Sequence, residues 1–294
     1  MPGRTDAAVS ALAAAALWGG MYVVSKDTFA AVPPLTLGAL RLLIAGATLL
    51  VVLGATGRLR RPPRDRRLLL ASSALAATII VQFLGTELGT ASEAALLTTT
   101  TPLFLVPLAW MVLRERPSLL TVAGIGAGMI GVALAVQGGA GIRASAWGPA
   151  LLLSSALLWA VYTIASARSA RSDGPLVTVT WATLGATPPL IVASLFEVDR
   201  WRPEVLGHLP TVGAVLYLGV AASAGAWYLW NRGVAGLPAA AAGAFFFAQP
   251  LVGGLLAWWM LGERPTARFT AGGVLILAGV LLAVRGTGPS EEGL

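Results

Sequence analysis

The sequence predicts an all-α membrane protein with ten transmembrane helices, arranged as two inverted repeats of five helices. Three observations support this prediction. Hydrophobic residues make up 56% of the 294 residues and charged residues only 11%, against roughly 25% charged residues in soluble proteins. Apolar segments of membrane-spanning length recur along the whole chain, and one long stretch of sequence occurs twice.

A helix crosses the ~30 Å hydrocarbon layer of a bilayer in about 20 residues. The predicted spans are 7–25, 35–54, 68–88, 93–113, 118–136, 147–167, 176–196, 210–231, 237–261 and 267–285. They assign residues 1–138 to the first repeat, 146–286 to the second and 287–294 to a cytoplasmic tail, which leaves no soluble domain. The N-terminus has no convincing cleavage site and is interpreted as a retained signal anchor.

Lysine and arginine residues in the loops orient the spans. If the N-terminus is cytoplasmic, the cytoplasmic segments hold 13 of the 20 basic residues and the outer segments hold 6, while Arg41 lies inside span 2. Both termini are therefore predicted to be cytoplasmic, in a protein of the cell membrane. The net charge of +7 could suggest a nucleic-acid partner, but the arginines cluster in short loops between apolar segments, so none is expected.

The repeat is clearest in the second half of each predicted unit. A shift of 148 residues places TPLFLVPLAWMVLRERP (101–117) over QPLVGGLLAWWMLGERP (249–265), and 16 of 35 positions are identical between 102–136 and 250–284. Because each unit holds an odd number of spans, the second unit enters the membrane from the opposite side. Inverted repeats are typical of secondary transporters, whose substrate site lies near the bilayer midplane between the repeats.

Pro102 and Pro250 occupy equivalent positions near the centres of spans 4 and 9, and Gln249 precedes the second proline. A proline inside a helix removes a hydrogen bond and costs ~3 kcal/mol, and a glutamine in an apolar environment needs a partner. The predicted interruption of the helix at each of these two prolines is interpreted as a hinge or as part of a substrate pathway. The alternative is a proline kink that only shapes helix packing.

Aromatic and amide side chains recur on the spans that are expected to line a central cavity. Trp18 and Trp159 are equivalent in a second, weaker match, of LWGGMYVVS (17–25) with LWAVYTIAS (158–166), and both lie too deep for an interfacial aromatic belt. Walls of this kind, with few charges, suit a neutral, zwitterionic or amphipathic solute. The predicted substrate-binding residues are Trp18, Tyr22, Arg41, Gln82, Trp159, Tyr162, Trp227, Asn231, Phe246 and Gln249.

Arg41 lies about 9 Å inside span 2 at 1.5 Å per residue, where a charge usually faces the bundle interior or a water-filled cavity. It is predicted to bind a substrate carboxylate or to form part of an outer gate; the alternative is a structural ion pair or a hydrogen bond to helix carbonyls. Glu87, at the outer end of span 3, is its candidate ion-pair partner. Thr90 and Glu93 have capping-box spacing, so Glu93 is predicted to cap a helix. Glu87 and Glu93 are also the candidate gate or proton sites.

An intramembrane enzyme would need a nucleophile with its base, paired carboxylates or metal ligands. The single histidine, His208, lies in a predicted outer loop, and every acidic residue falls in a loop or at a helix end. No catalytic residue, metal site or cofactor is therefore predicted. GAGMIG (126–131) matches a dinucleotide-binding pattern, but it lies inside a span with no strand before it, so it is interpreted as a close helix contact.

The chain resembles the EamA family of the drug/metabolite transporter superfamily. The resemblance rests on Leu17-Trp18-Gly19, ALRLLIAG in span 2, TASEAALL entering span 4 and the two L-x-E-R-P stretches that close spans 4 and 9. It implies a ten-helix carrier that exports metabolites such as amino acids by alternating access through a cavity between the halves. The alternative is a drug or toxic-compound efflux carrier coupled to protons through Glu87 or Glu93. The expected partners are a small-molecule substrate and the lipid bilayer, with the protein a monomer or weak dimer.

Overall fold

The computed structural model describes residues 3–57, 65–136, 147–252, 255 and 267–286. Within these ranges the chain is almost entirely helical and contains no β-strand. Seven helices are long and apolar enough to cross a membrane, and three shorter apolar helices accompany them. The protein is therefore a multi-pass membrane protein.

The helical segments are numbered α1 to α10 in chain order. They are α1 (Arg4–Gly19 and Met21–Thr28), α2 (Pro34–Ala55), α3 (Arg66–Leu88), α4 (Ala91–Thr98, Thr101–Leu108 and Ala109–Leu113), α5 (Leu119–Val136), α6 (Trp147–Ser172), α7 (Pro175–Ser194), α8 (Leu209–Leu216, Tyr217–Gly225 and Ala226–Gly236), α9 (Ala239–Gly243, Ala244–Phe247 and 248–252) and α10 (Ala267–Arg285). Short 3₁₀ turns, Leu195–Arg200 and Pro203–Gly207, connect α7 to α8.

The predicted spans coincide with these helices to within a few residues, except at span 9. The three shorter apolar helices are α5, α9 and α10. In α9 the structure describes a helix over Ala239–Val252, and most of the remainder of predicted span 9 lies outside the described residues.

The two mid-helix prolines follow irregular turns. Pro102 comes just after a break at residues 99–100 of α4, and Pro250 comes just after the 3₁₀ turn Ala244–Phe247 of α9. A proline has no N–H group with which to bond the carbonyl four residues earlier, and its ring crowds that carbonyl. The regular α-helix is therefore lost on the N-terminal side of each proline.

Threonine hydroxyls compensate the break in α4. The hydroxyls of Thr98–Thr101 each donate to a carbonyl of the preceding turn, at 2.6–2.7 Å. In the membrane interior such side-chain bonds satisfy backbone groups that an interrupted helix leaves free. The break can thus persist away from water, and it brings a polar surface into the bundle.

The helices form four packed pairs, each of which joins one helix of the first predicted repeat to one helix of the second. α3 packs along α6, and α1 packs along the last segment of α8, while α2 packs along α7 and α5 along α10. Exchanging α1–α5 with α6–α10 converts the first pair into the second and leaves the other two pairs unchanged. Helix packing therefore has the pattern expected of two equivalent halves.

Glycines allow α5 and α10 to approach closely. A Cβ atom at Gly124 or Gly279 would overlap backbone atoms of the facing helix, and one at Gly131 would overlap the carbonyl of Gly272. Gly126, by contrast, has no neighbouring atom within 4 Å of such a Cβ. The GAGMIG stretch therefore packs against another helix as predicted, but not through each of its glycines.

The two ends of the bundle are identified by contacts between helix termini. At the near end, the Arg4 side chain at the start of α1 donates to the carbonyl of Val284 at the end of α10, at 2.6 Å. At the far end, Lys26 near the end of α1 contacts the last residues of α3. The interior of the bundle between these ends contains the candidate site.

Candidate functional site

A small cavity lies inside the bundle, bordered by α1, α2, α3, α4, α6, α8 and α9. It has a volume of about 30 Å³, enough for a few water molecules but not for a metabolite. Eight of the ten predicted substrate-binding residues line this cavity. They are Trp18, Tyr22, Arg41, Gln82, Trp159, Trp227, Phe246 and Gln249.

Arg41 is buried, with 2% of its surface exposed, and lines this cavity. Its Nε donates to Ser223 Oγ, and its Nη2 donates to the carbonyl of Ala222 at 3.3 Å. The rings of Phe83 and Trp227 flank the guanidinium, with their centroids 5.5 and 5.1 Å from Cζ, at cation–π distance. Nη1 has no hydrogen-bond partner. The buried guanidinium of Arg41 thus keeps one nitrogen whose hydrogen-bond donors are unused.

The predicted ion pair between Arg41 and Glu87 is wrong. The Glu87 carboxylate instead binds Arg200, which lies in the turn after α7 at the far end of the bundle. A pair there remains partly hydrated, whereas a pair at the depth of Arg41 would require full desolvation of both charges. Among the described residues, no carboxylate forms an ion pair with Arg41.

Two further buried polar atoms of the cavity-lining residues have no partner. They are Nε1 of Trp159 and Oε1 of Gln249. With Nη1 of Arg41, they give these residues two unused donors and one unused acceptor. Buried polar groups are nearly always hydrogen-bonded, and an unpaired one costs free energy. Of the nine such atoms among the described residues, these three belong to residues that line the cavity.

Another part of the cavity wall is a chain of satisfied hydrogen bonds. Nε2 of Gln82 donates to Oη of Tyr22 at 3.1 Å, and Oη of Tyr22 donates to Oγ1 of Thr98 at 2.6 Å. Thr98 in turn donates to the carbonyl of Ala94 at 2.7 Å. This chain connects α3, α1 and the break in α4, so it fixes the polar wall before any ligand arrives.

The aromatic residues form one cluster that joins α1, α6, α8 and α9. Ring centroids of Trp18, Trp159, Trp230 and Phe246 lie 4.9–6.4 Å apart, mostly tilted or edge to face. Trp230 was not predicted; it is fully buried and its Nε1 donates to Thr163 Oγ1 at 3.1 Å. The cluster gives the cavity an apolar wall.

Tyr162 and Asn231, the other two predicted residues, do not line the cavity. Nδ2 of Asn231 donates to Oη of Tyr162 at 2.8 Å, and both residues are fully buried. The Tyr162 ring lies 4.9 Å from that of Trp159. Tyr162 and Asn231 therefore pack against the aromatic cluster without lining the cavity.

Lys26 binds the carbonyl groups at the C-terminal end of α3. Its ammonium group donates to the carbonyls of Thr86, Glu87 and Gly89 at 3.0, 2.8 and 2.7 Å. These carbonyls belong to the C-terminal end of the helix, where a cation is stabilised by the helix dipole. Lys26 thereby fastens α1 to α3.

Two carboxylates at the far end stabilise helix N-termini. Glu93 and Thr90 form the predicted capping box, with Thr90 N donating to Glu93 Oε2 at 2.8 Å and Glu93 N donating to Thr90 Oγ1 at 3.1 Å. Glu197, which was not predicted, accepts the Thr36 N–H at the start of α2 at 2.9 Å. Both acids thus have structural partners.

A second polar cluster closes the near end. The Glu115 carboxylate accepts from Arg171 Nη2 at 2.8 Å and from the N–H of Ala239 at 2.7 Å. It thereby connects the segment after α4 to the end of α6 and the start of α9. The equivalent Glu263-Arg264-Pro265 stretch lies outside the described residues. Among the described residues, polar contacts between helix termini thus connect the helices at both ends of the bundle.

Two cavity-lining residues that were not predicted could have been found by applying the 148-residue repeat shift to the predicted residues of α9. Thr98 and Thr101 line the cavity and lie 148 residues before Phe246 and Gln249, so the repeat shift pairs them with predicted residues. Ser223, the partner of Arg41, has no such signal, because Arg41 itself has no charged equivalent in the second repeat.

The sequence is similar to membrane transporters along its whole length. A model of the EamA-like transporter family matches residues 6–137 and again residues 146–285. An uncharacterized transporter of Archaeoglobus fulgidus is 25% identical, over 90% of this chain and 93% of its own. A probable terminal-alkyne amino-acid exporter of Streptantibioticus cattleyicolor is 30% identical, over 84% of this chain and 82% of its own. One crystal structure superimposes with a TM-score of 0.80 at 25% identity, covering 96% of this chain and 97% of that one.

Proposed function

Because this chain belongs to the EamA-like transporter family, we propose that it exports small, amino-acid-like metabolites from the cell through its central cavity. The family and its relatives are transporters, so the protein is a carrier and not an enzyme. We propose the amino-acid class of substrate because the name of the Streptantibioticus cattleyicolor relative agrees with it and because the cavity contains unpaired polar atoms that suit a zwitterion.

The observation that supports this substrate class is the set of three unpaired polar atoms at the cavity. The two donors, Arg41 Nη1 and Trp159 Nε1, match a carboxylate, and the acceptor, Gln249 Oε1, matches an ammonium group. A zwitterionic amino acid carries both groups. The aromatic cluster then suits an apolar side chain of the substrate, and none of the described residues that line the cavity is acidic. Because the cavity holds only a few waters, the substrate enters a more open conformation than this one.

Alternating access between two inverted repeats is the proposed mechanism. It is supported by the helix pairs that exchange when the two halves are exchanged. It is also supported by the repeat shift of 148 residues, which relates the cavity-lining residues Thr98 and Thr101 to the cavity-lining residues Phe246 and Gln249. Opening the far end requires release of Lys26 from α3, and opening the near end requires release of Glu115 from Arg171. We place the near end and both termini in the cytoplasm, and the protein in the cell membrane.

The contacts of Glu87 and Glu93 do not favour the alternative of a proton-coupled drug exporter. Glu87 is bound to Arg200, and Glu93 is part of a capping box. Neither carboxylate lines the cavity, so neither is placed to exchange a proton for a cationic drug.

Counterflow in proteoliposomes tests the proposed function. Vesicles preloaded with unlabelled L-leucine should accumulate labelled L-leucine, and neutral apolar amino acids in a panel of the twenty standard ones should compete best. L-Leucinamide, which lacks the carboxylate, and 4-methylpentanoate, which lacks the ammonium group, should compete poorly. Arg41→Gln protein is the control. Absence of exchange for every amino acid in the panel, or equal competition by leucine and its amide, would overturn the proposal.

A further inference from the structure

We propose that Ser223 is a positioning residue of the substrate site and that the π-helical segment of α8 brings it to Arg41. This inference rests on the proposed function, in which Arg41 binds the carboxylate of the substrate. It concerns the polar contacts that hold Arg41 in place rather than the groups that touch the ligand.

The middle of α8 differs from an ordinary α-helix. Residues Tyr217–Gly225 are π-helical, and such segments are rare and often occur at functional sites. The carbonyl of Ala222 in this segment accepts two side-chain donors, Trp18 Nε1 at 2.9 Å and Arg41 Nη2 at 3.3 Å. These come from α1 and α2, so the irregular backbone of α8 is bound by both helices.

Ser223 is fully buried, and its hydroxyl has a defined direction. The hydroxyl donates its single proton to the carbonyl of Leu218, five residues earlier, and accepts from Nε of Arg41. Because a serine hydroxyl has one proton to donate, this arrangement directs an oxygen lone pair at the guanidinium. Ser223 thus couples the π-helical spacing to the orientation of Arg41.

The contacts of Arg41 divide its guanidinium into a held edge and a free edge. A guanidinium is planar, with its donors in a fixed fork. Nε and Nη2 lie along one edge and are bound by Ser223 and Ala222, while Phe83 and Trp227 flank the group. Nη1 alone has no partner. α8 therefore holds Arg41 by one edge and leaves Nη1 for the ligand.

The consequence for binding is specific to the carboxylate. Without the Ser223 hydroxyl, Nε of Arg41 loses its partner and competes with Nη1 for the ligand, or the guanidinium rotates away. A ligand whose carboxylate is replaced by a neutral amide can form only a weaker, neutral hydrogen bond to Nη1 and is therefore less sensitive to this change. Ser223 should therefore affect the preference for an acid over its amide, which a role confined to helix stability would not do.

The test is equilibrium binding of labelled L-leucine and L-leucinamide to the purified full-length protein. Ser223→Ala should weaken L-leucine binding about tenfold, as expected for loss of a hydrogen bond to a charged group, and weaken L-leucinamide binding much less. Ser223→Thr keeps the hydroxyl and should restore much of the preference. Ser72→Ala is the matched control, since Ser72 is also buried and donates to a carbonyl of its own helix at 2.9 Å.

The ratio of the two affinities does not depend on the fraction of protein that folds, so a destabilised variant remains informative. If Ser223→Ala weakens both ligands equally, or changes neither while Arg41→Gln abolishes the preference for the acid, the positioning role alone is overturned. If the wild-type protein binds L-leucine no better than L-leucinamide, the proposed function is overturned and this inference with it.

Discussion

Trp18 and Trp159 meet edge to face at the cavity, with ring centroids 5.2 Å apart and ring planes at 85°. They are the equivalent tryptophans of the repeated Leu-Trp stretch, yet their indole N–H groups differ. Nε1 of Trp18 donates to the carbonyl of Ala222 at 2.9 Å, whereas Nε1 of Trp159 has no partner. The two tryptophans thus differ in their bonding: the indole N–H of Trp18 is satisfied inside the bundle, and that of Trp159 has no partner among the described residues.

Replacing each tryptophan by phenylalanine should separate these roles. Both substitutions remove the same ring volume. The difference in stability or binding between the two variants therefore measures the contribution of the indole N–H group. Trp18→Phe should cost about 1 kcal/mol more in stability than Trp159→Phe, because it removes a satisfied hydrogen bond. Trp159→Phe should instead weaken L-leucine binding more. Thermal unfolding in detergent and equilibrium binding measure the two effects; equal melting temperatures for both variants would contradict the assignment.

The positions of the helices and of many cavity-lining residues could be predicted from the sequence. Hydropathy can be read from each short segment, and the repeat from a comparison of the two halves of the sequence. They located the helices, the two prolines and eight of the cavity-lining residues. The partners of Arg41 could not be predicted in this way. Its contact with Ser223 depends on a π-helical segment of α8, and no composition signal marks where a helix changes its hydrogen-bond spacing. The assignment of Glu87 to Arg41 failed because depth along a helix does not specify which face a side chain occupies.

Gln249→Leu should impair recognition of the ammonium group. Gln249 is 2% exposed, and its Oε1 is the unpaired acceptor at the cavity. We expect about tenfold weaker binding of L-leucine, as for loss of one charged hydrogen bond, and unchanged binding of 4-methylpentanoate. Gln82→Leu is the matched amide control: Gln82 already donates to Tyr22, so this change should leave the ratio of the two affinities as it is. A proportional loss for both ligands in Gln249→Leu would argue against contact with the ammonium.

The contact between α5 and α10 predicts opposite effects for two neighbouring glycines. A Cβ at Gly124 would overlap the carbonyl of Gly279, whereas one at Gly126 meets open space. Gly124→Ala should lower stability by about 1–3 kcal/mol through overpacking. Gly126→Ala should be neutral or stabilising by up to about 1 kcal/mol, because alanine favours the helix over glycine. Melting temperatures of the two variants in detergent provide the comparison, and a stable Gly124→Ala protein would show that the helices separate easily.

The proposed topology predicts that Ser145 and Ser290 lie on opposite sides of the membrane. Both residues are outside the described part of the structure, but the distribution of arginines predicts that the first lies outside the cell and the second in the cytoplasm. The chain contains no cysteine, so Ser145→Cys and Ser290→Cys each introduce a single thiol. A membrane-impermeant maleimide applied to intact cells should label only the Ser145→Cys protein. Labelling of both variants, or of the Ser290→Cys protein alone, would require a different topology.

The position of the acidic residues predicts that a proton gradient does not drive transport. Proton relays in transporters generally use Asp, Glu or His within the membrane, and each acidic residue in the described part of the chain lies in a turn or near a helix end. At the far end, Glu87 is bound to Arg200, Glu93 belongs to a capping box and Glu197 accepts the N–H of Thr36. We therefore expect a facilitator that moves its substrate down the substrate's own gradient.

Sealed proteoliposomes with an imposed pH gradient test this expectation. With labelled L-leucine at equal concentration inside and outside, the gradient should cause no net accumulation in either direction. The Glu87→Gln protein should behave in the same way, with exchange rates within about twofold of wild type, because its carboxylate is engaged outside the cavity. An unloaded vesicle population with a leucine gradient and no pH gradient confirms that the protein is active. Accumulation driven by the pH gradient alone, and lost in Glu87→Gln, would establish proton coupling through Glu87 instead, since no other change distinguishes the two proteins.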